Sequence, residues 1–201
     1  GSAWNGSDLD FALARFTTTG AADPSFGSGG VVVTPIGPAT DATRTIAIDG
    51  SGRILVAGLS ADGLGQTTFA LARYDGTGTL DPLFGSGGVV TTAFGSGDAE
   101  ARAMVLDGSA RIVLAGTATT AGDTDFALAR YDGAGTLDAS FGSGGTVTTA
   151  FGPSSDDEAN AVAVDASDRI VVAGWSDAAA AGNRDFALAR YDDLGVPDAA
   201  F

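Results

Sequence analysis

The sequence of 201 residues contains no cysteine, no histidine and no lysine, and its ten basic residues are all arginines. Without cysteine there is no disulfide framework, no thiol nucleophile and no cysteine-ligated zinc site. Without histidine there is no Ser-His-Asp triad, and without lysine there is no Schiff base and no phosphate-loop lysine. Paired carboxylates are the acid–base chemistry that remains. Because no such pair stands apart from the internal repeats of the chain, we expect a protein that is not an enzyme.

Positive charge and long apolar runs are also scarce. The chain carries 25 Asp and Glu against 10 Arg, which gives a formal net charge of -15. A surface this acidic repels phosphate backbones, so we expect no nucleic-acid partner. No apolar stretch approaches the ~18 residues that a membrane-spanning helix needs. Since 44% of the residues are hydrophobic, the chain has enough apolar material for a core and is not a disordered acidic tail.

Three motifs recur in a fixed order along the chain. Phe-Ala-Leu-Ala-Arg begins at Phe11, Phe69, Phe126 and Phe186. Phe-Gly-Ser-Gly-Gly begins at Phe26, Phe84 and Phe141, and its fourth copy is cut off at Phe201. Asp-x-Ser-x-Arg occupies residues 49–53, 107–111 and 165–169. This order predicts the end of one repeat unit in residues 1–26, followed by three units, 27–84, 85–141 and 142–201.

Each unit is predicted to contain four short strands, which in the first unit are 31–34, 45–49, 53–57 and 69–74. In the fourth strand, Phe and Leu alternate with Ala, so the bulky face of one sheet can stack on the small face of the next. We therefore predict an all-β protein. Its architecture is a β-propeller-like array of four-stranded antiparallel blades, with three full units plus one extra strand at 11–16. An open or linear β-stack is the alternative.

Two glycine-containing segments are predicted to be turns rather than ligand sites. Phe-Gly-Ser-Gly-Gly is followed by a strand instead of the helix of a phosphate-binding loop, and lysine is absent. We interpret it as a tight turn with positive-φ glycines and a core-filling Phe. Residues 75–81 carry only two carboxylates, which is few for a calcium loop, so we predict a turn capped by an Asp side chain.

A structural ion pair is predicted in every unit. The arginine that ends Phe-Ala-Leu-Ala-Arg shares a strand face with a Phe and a Leu, and a buried arginine needs an acidic partner. An aspartate follows eight residues later each time. The predicted pairs are Arg15 with Asp23, Arg73 with Asp81, Arg130 with Asp138, and Arg190 with Asp198.

Ligand or partner contacts are predicted at one end of the blades. The connections between first and second strands and between third and fourth strands vary in length, and in a meander both lie at the same end. Trp4 and Trp175 fall in the loop region between third and fourth strands, where an exposed Trp stacks on sugars or anchors partners. Asp156, Asp157 and Glu158 form an acidic loop without a repeated counterpart, and calcium is the one cofactor they leave open. Otherwise we expect no cofactor, no metal and no catalytic residue.

The unit also resembles a known repeat. The similarity is carried by Asp-Phe-Ala-Leu-Ala-Arg-Tyr-Asp at 125–132, by Leu-Asp-x-x-Phe-Gly-x-Gly-Gly at 137–145, and by Ala-Val-Ala-Val-Asp at 161–165 leading to Arg-Ile-Val-Val-Ala-Gly at 169–174. With these blocks the chain resembles the delta-60 repeat family of bacteria. The resemblance implies a secreted or surface-exposed bacterial protein with a propeller-like fold, and it implies no catalytic residue. The family often has Lys before the third strand, where this chain has Arg53, Arg111 and Arg169.

The predicted function follows from the open ends of the array. The chain begins inside a unit and ends inside a motif, and three blades with an extra strand do not close a ring. We expect a longer parent chain, or an assembly with a protein partner or other copies through open sheet edges. The prediction is a non-enzymatic scaffold or interaction module, extracellular or at the surface of a bacterium. The alternative is a ligand-binding propeller, glycan-binding or calcium-dependent, that uses the loops at the variable end.

Overall fold

The computed structural model describes residues 1–178 and 183–201, and this part of the chain is built from strands and turns. Its fourteen strands are β1 (Ser2–Trp4), β2 (Leu9–Ala14), β3 (Val31–Thr34), β4 (Asp41–Ile48), β5 (Ile54–Ala61), β6 (Thr67–Tyr74), β7 (Val89–Thr92), β8 (Ala99–Leu106), β9 (Ile112–Thr120), β10 (Asp123–Tyr131), β11 (Thr146–Thr149), β12 (Asp157–Val164), β13 (Ile170–Ser176) and β14 (Asp185–Tyr191). The described residues include no helix long and apolar enough to cross a membrane.

The strands form four antiparallel sheets, each a simple meander. The first sheet is β1-β2-β3, the second β4-β5-β6-β7, the third β8-β9-β10-β11 and the fourth β12-β13-β14. This arrangement confirms the prediction of an all-β, propeller-like array of antiparallel blades. The two middle sheets have four strands, whereas the first and fourth have three.

The sheets are displaced by one strand from the units of the sequence. The strand that follows each Gly-Gly pair closes the preceding sheet: β7 pairs with β6, with Phe69 opposite Thr92. The reversal is made by Gly85, Gly87 and Gly88, whose φ angles are 52°, 63° and 100°. A side chain at Gly85 would meet the carbonyl oxygen of Val89 at 2.4 Å, so the turn requires glycine. Each such sheet therefore contains residues of two units, which joins the units to one another.

Neighbouring sheets pack through one bulky and one small face. We call the face that carries the Phe and Leu of Phe-Ala-Leu-Ala-Arg the bulky face, and the opposite face the small face. Between the second and third sheets, Phe69 and Leu71 pack with Ala127 and Ala129 in one fully buried cluster. The central strand β5 contributes to the clusters on both of its sides, as its apolar residues predict. Three such interfaces constitute the core.

The strands β4, β8 and β12 form the inner edge of the array, where β8 contacts both β4 and β12. Each has one extra residue opposite a glycine of the next strand, so the register shifts between Thr43 and Thr45 in β4, and likewise in β8 and β12. A Cβ on Gly116 would lie 1.9 Å from the carbonyl oxygen of Glu100. The bulge therefore needs glycine opposite it, and it redirects the side chain of the extra residue.

Candidate functional site

An arginine-centred cluster repeats in all four sheets. The structure joins the four sequence-predicted pairs, with N–O distances of 2.9 Å for Arg15–Asp23, 2.8 Å for Arg73–Asp81, 2.9 Å for Arg130–Asp138 and 2.9 Å for Arg190–Asp198. Each guanidinium also lies over the Phe of the following Phe-Gly motif, at 4.5 Å from the ring centre for Arg130 and Phe141. The arginine thus holds the strand, the acidic turn and the core-filling Phe together.

The first three of these arginines also reach the next sheet. Arg130 Nη1 donates a hydrogen bond to the Asp193 carbonyl at 2.6 Å, and Arg15 and Arg73 donate to the carbonyls of Gly76 and Gly133. The acceptors lie in the turns that follow β6, β10 and β14. An Asp sets the shape of each turn; in the second of them, Asp132 Oδ1 accepts from the amides of Ala134 and Thr136. The prediction of an Asp-capped turn is confirmed, and the turn serves as the docking point between sheets.

Acid is expected to destabilise this fold, with the loss starting below about pH 4. Hydrogen bonds from Ser140, with the Arg130 guanidinium beside it, hold the pKa of Asp138 below its ordinary value. Hydrogen bonds from Ser25, with Arg15, lower the pKa of Asp23 in the same way. A carboxylate whose folded pKa is lowered stabilises the fold above its unfolded pKa, and this stabilisation disappears as the pH falls through the folded pKa. We expect the Tm, followed by circular dichroism, to drop steeply between about pH 4 and pH 2.

The matched variant for this measurement is Asp138→Asn, which keeps the shape of the side chain and cannot titrate. It should have a lower Tm at pH 7 and a shallower fall in acid than the parent protein. Asp125 has the opposite effect on stability in acid. Burial raises the pKa of its carboxyl, so protonation relieves the cost of burying the charge and stabilises the fold. A Tm that stays constant down to pH 2 would contradict the role of the paired aspartates.

A ladder of charges crosses the inner edge of the array. Arg44 of β4 pairs with Glu100 of β8, and Arg102 Nη1 of β8 pairs with Glu158 Oε1 of β12 at 2.7 Å. Arg102 Nη2 also lies 3.1 Å from Glu100 Oε2. Arg44 and Arg102 are the extra residues of the bulges, and the bulge turns them toward the neighbouring strand. The corresponding residue of β12 is Asn160, so the ladder described here ends at Glu158.

The acidic loop predicted as a cation site is divided among three separate tasks. Asp156 Oδ1 accepts from the Thr124 amide at 3.1 Å, and buried Asp157 Oδ2 accepts from the Phe151 amide at 2.8 Å. Glu158 belongs to the charge ladder. Among the described residues, no group of three or more acidic side chains is placed to hold a metal ion.

The interpretation of this acidic loop as unrepeated was wrong. The matching bulges of the inner strands place Asp157 at the position of Asp41, and Glu158 at the position of Glu100. Asp41 caps its own connection just as Asp157 does, by accepting from the Ile36 amide at 2.7 Å. The correspondence is hidden in the sequence because each unit retains only some of these carboxylates.

The placement of the two tryptophans in a loop was also wrong. Trp4 is the last residue of β1, and Trp175 lies within β13, opposite Phe186. The third and fourth strands of each repeat unit continue their hairpin ladder beyond the predicted ends, as in the β9–β10 hairpin, where residues Thr117–Thr120 pair with Asp123–Phe126. The loops are correspondingly shorter. Trp4 is exposed at the variable end, and the Arg184 guanidinium lies 3.8 Å from the Trp175 ring centre.

The connections of variable length lie together at one end of the sheets, as a meander requires. The connection between the second and third sheets runs beside the β5–β6 hairpin, and Asp98 Oδ1 accepts from the Thr67 amide at 2.8 Å. The corresponding contact between the third and fourth sheets is the one from Thr124 to Asp156. These carboxylates hold the loops of adjacent sheets together, which is a structural use of the predicted binding end.

The bulky face of the fourth sheet is exposed in the described part of the chain. Phe186 is fully exposed and Leu188 and Phe201 are each 55% exposed. The equivalent Phe126, Leu128 and Phe141 of the third sheet are all completely buried. Beside Phe186 lies a shallow cavity of about 360 Å³, lined by Asn160, Trp175, Arg184 and Phe186 among others. Sequence reasoning did not single out this face.

The small face of the first sheet is open as well. Phe16 is 64% exposed, whereas Tyr74, Tyr131 and Tyr191, which occupy the same position in the other sheets, are buried. Among the described residues, the first sheet also has no strand at the position of β4, β8 and β12. A groove of about 790 Å³ lies between the first and second sheets, lined by Leu13 and Phe26 on one side and by Ile46, Ile48 and Val56 on the other.

Comparison with known proteins identifies the class of this chain. Residues 1–26, 50–84, 111–141 and 166–201 match the family model described as Domain of unknown function (DUF5122) beta-propeller. These segments make up more than half of the chain, which therefore belongs to this family of β-propeller repeat domains. No curated protein matches the chain. The delta-60 identity stays a prediction.

The residues that match the family model coincide with one repeated feature of the structure. They contain the arginine-centred clusters, from the third strand of each repeat unit to the core-filling Phe. The charge ladder of Arg44, Glu100, Arg102 and Glu158 lies outside them.

Proposed function

We propose that the protein is a non-enzymatic interaction module that acts as a scaffold on the outside of a bacterial cell, as a member of the delta-60 repeats. The observation that carries this proposal is the open bulky face of the fourth sheet. Soluble proteins seldom leave several large apolar side chains exposed side by side unless another surface covers them. Aromatic residues at the centre of such a patch are the usual anchors of protein contacts.

A non-enzymatic role fits the use of charge in the described residues. The conspicuous carboxylates form ion pairs with arginines, cap turns or join loops, and the same arrangement recurs from sheet to sheet. A reaction centre differs from this pattern, because it needs groups set apart from the repeat and aimed at a common point. The extracellular location is supported by the family resemblance of the sequence.

The experiment is site-specific photo-crosslinking in the source cells. A benzophenone amino acid placed at position 186 should give covalent adducts with a partner, while the same probe at position 64 should not. Leu64 is the matched control because it is an equally exposed apolar residue, in the β5–β6 hairpin and away from the open face. Absence of adducts at 186, or equal adducts at both positions, would overturn the proposal.

A ligand-binding propeller is the second candidate, favoured by the cavity beside Trp175. A planar sugar face would stack on Phe186 or Trp175, with Asn160 and Asp185 as polar neighbours. Titration with a panel of glycans, with and without calcium, followed by Trp fluorescence, tests this function. A response that Asn160→Ala abolishes, with Trp175 kept as the reporter, would favour it over the scaffold, and a flat response from the folded protein would count against it.

A further inference from the structure

The turn after β14 supplies a carboxylate to two arginines of the third repeat contact. Asp193 Oδ1 accepts hydrogen bonds from Arg130 Nη1, at 3.0 Å, and from Arg111 Nη2. The hydrogen bond from Arg111 lowers the pKa of Asp193, so the position favours the ionised carboxylate. One carboxylate between two guanidinium groups is thus part of the contact between the third and fourth sheets.

The contact between the second and third sheets repeats the two arginines without this carboxylate. Arg53 and Arg73 stand at the equivalent positions of the repeat. Arg73 Nη1 donates to the Gly133 carbonyl, which takes the place of the Asp193 carbonyl. Because Gly133 has no side chain, this turn offers Arg53 no carboxylate. Among the residues that the structure describes, none is hydrogen-bonded to Arg53 Nη2.

A second acidic side chain is exchanged in the same corner of the repeat. At the contact between the third and fourth sheets, a Cβ on Gly108 would lie 3.1 Å from Asp168 Oδ1. One unit earlier, the position of Asp168 is held by Ala110. With Gly133 and Ala110 in place of two aspartates, a cavity of about 200 Å³ lies between the second and third sheets.

The cavity combines positive charge with an apolar lining. It is bordered by Arg53 and Arg73, and aliphatic side chains of both sheets line most of the remainder. The Arg73 side chain is 4% exposed, so burial fixes its guanidinium in place. The Arg53 side chain is 37% exposed, so a molecule from solution can reach it.

The charges around the cavity leave room for one anion. Arg53 and Arg73 are balanced there by Asp49 and Asp81. The equivalent group between the third and fourth sheets contains the same two pairs, with the Asp193 carboxylate in addition. An added carboxylate therefore reproduces a balance of charges that the fold already contains.

We propose that the cavity between the second and third sheets binds a small organic carboxylate from solution. The bound carboxylate takes the position of the Asp193 side chain and accepts hydrogen bonds from Arg53 and Arg73. The volume and the aliphatic lining suit an acid of a few carbon atoms. The site lies at the end of the sheets opposite the variable loops, and it is separate from the exposed face of the fourth sheet.

The experiment is a titration of the purified 201-residue chain with sodium propionate at neutral pH, followed by NMR. The side-chain Nε–H of Arg53 and the backbone amide of Gly133 should both shift to saturation, with a dissociation constant of about 1–10 mM. Sodium chloride at the same ionic strength should give no saturable shift, because chloride lacks the paired oxygen atoms that match a guanidinium. Sodium sulfate should bind at least about fivefold more weakly than propionate, since it is not planar.

The variant Gly133→Asp should fill the site with a side chain of the protein itself. Apart from its chain neighbours, no atom lies within 4 Å of a Cβ built on Gly133, so there is room for the side chain. We expect propionate binding to weaken at least about tenfold and the Tm to rise by about 1–3 °C. Gly63→Asp is the matched control, because it makes the same charge change at an equally open glycine between β5 and β6. It should leave propionate binding unchanged.

The converse variant removes the built-in carboxylate. Asp193→Gly should create a second propionate site, seen as a saturable shift of the Arg111 Nε–H that the parent protein does not show. Arg53→Gln keeps a polar side chain of similar reach but loses the guanidinium, so it should abolish the first site. It replaces Gly133→Asp if that variant fails to fold.

Each of four results would overturn the inference. The first is a propionate titration of the parent that does not differ from the chloride titration. The second is sulfate binding as tight as propionate binding, which would remove the assignment to a carboxylate. The others are a folded Gly133→Asp or Arg53→Gln variant that binds like the parent, and an Asp193→Gly variant without a second site.

Discussion

Replacing Phe141 with alanine is expected to lower the free energy of unfolding by about 3–5 kcal/mol. Phe141 is completely buried between the third and fourth sheets, with the Arg130 guanidinium 4.5 Å from its ring centre. The turn of the fourth sheet packs on its other side, so closely that a Cβ at Gly195 would meet the ring at 2.9 Å. The substitution leaves a cavity and removes an anchor of the interface. Urea unfolding followed by circular dichroism measures the loss.

The chain offers a matched control for this cavity. Phe201 occupies the same position one unit later and also lies under an arginine, Arg190, but it is half exposed. Phe201→Ala should cost less than about 1 kcal/mol, because little apolar surface is uncovered. Equal losses for the two substitutions would show that the packing between sheets is not what Phe141 stabilises.

Replacing Arg130 with methionine is expected to lower the free energy of unfolding by about 2–4 kcal/mol. The side chain is 1% exposed and connects Asp138, Phe141 and the Asp193 carbonyl of the next sheet. Methionine fills similar volume but leaves Asp138 without its cation and the carbonyl without its donor. Because 19% of the Asp138 side chain is exposed, water relieves part of the penalty, which keeps the estimate below that of a fully buried pair.

Two comparisons test whether the arginine works through these contacts. Arg190→Met makes the same change where no further sheet follows in the described chain and the side chain is 20% exposed, so the loss should be about 1 kcal/mol or less. The double variant Arg130→Met with Asp138→Asn should be more stable than Arg130→Met alone, since no charge is left unpaired. A double variant with strictly additive losses would contradict the ion-pair account.

The repeat structure was readable from residue spacing because it depends on local chemistry. Strands alternate by two, so the Phe, Leu and Ala of Phe-Ala-Leu-Ala-Arg had to separate onto two faces. An aspartate eight residues after the arginine can return to it only around one turn, and the structure places it 2.9 Å away at Arg130. The glycines of the Phe-Gly motif have the positive φ angles that a tight turn requires.

The pairing of strands was not readable in the same way. The repeat has no natural starting point, so the strand after Gly-Gly could have opened its own sheet or closed the previous one. Only the hydrogen bonds between β6 and β7 decide that it closes the previous one. The same reason explains the two tryptophans, because the length of a hairpin ladder depends on both strands at once and not on the residues of either.

By itself, the sequence determined the class of fold, the units, the turns and the partner of the arginine that ends each Phe-Ala-Leu-Ala-Arg, since these depend on neighbours within about ten residues. The tertiary structure alone decided the charge ladder, because a bulge opposite Gly116 and its equivalents turns Arg44 and Arg102 toward strands more than fifty residues away. It also decided which faces are open. Identical motifs carry a buried Phe126 and an exposed Phe186, and the difference between them is the presence of a following sheet.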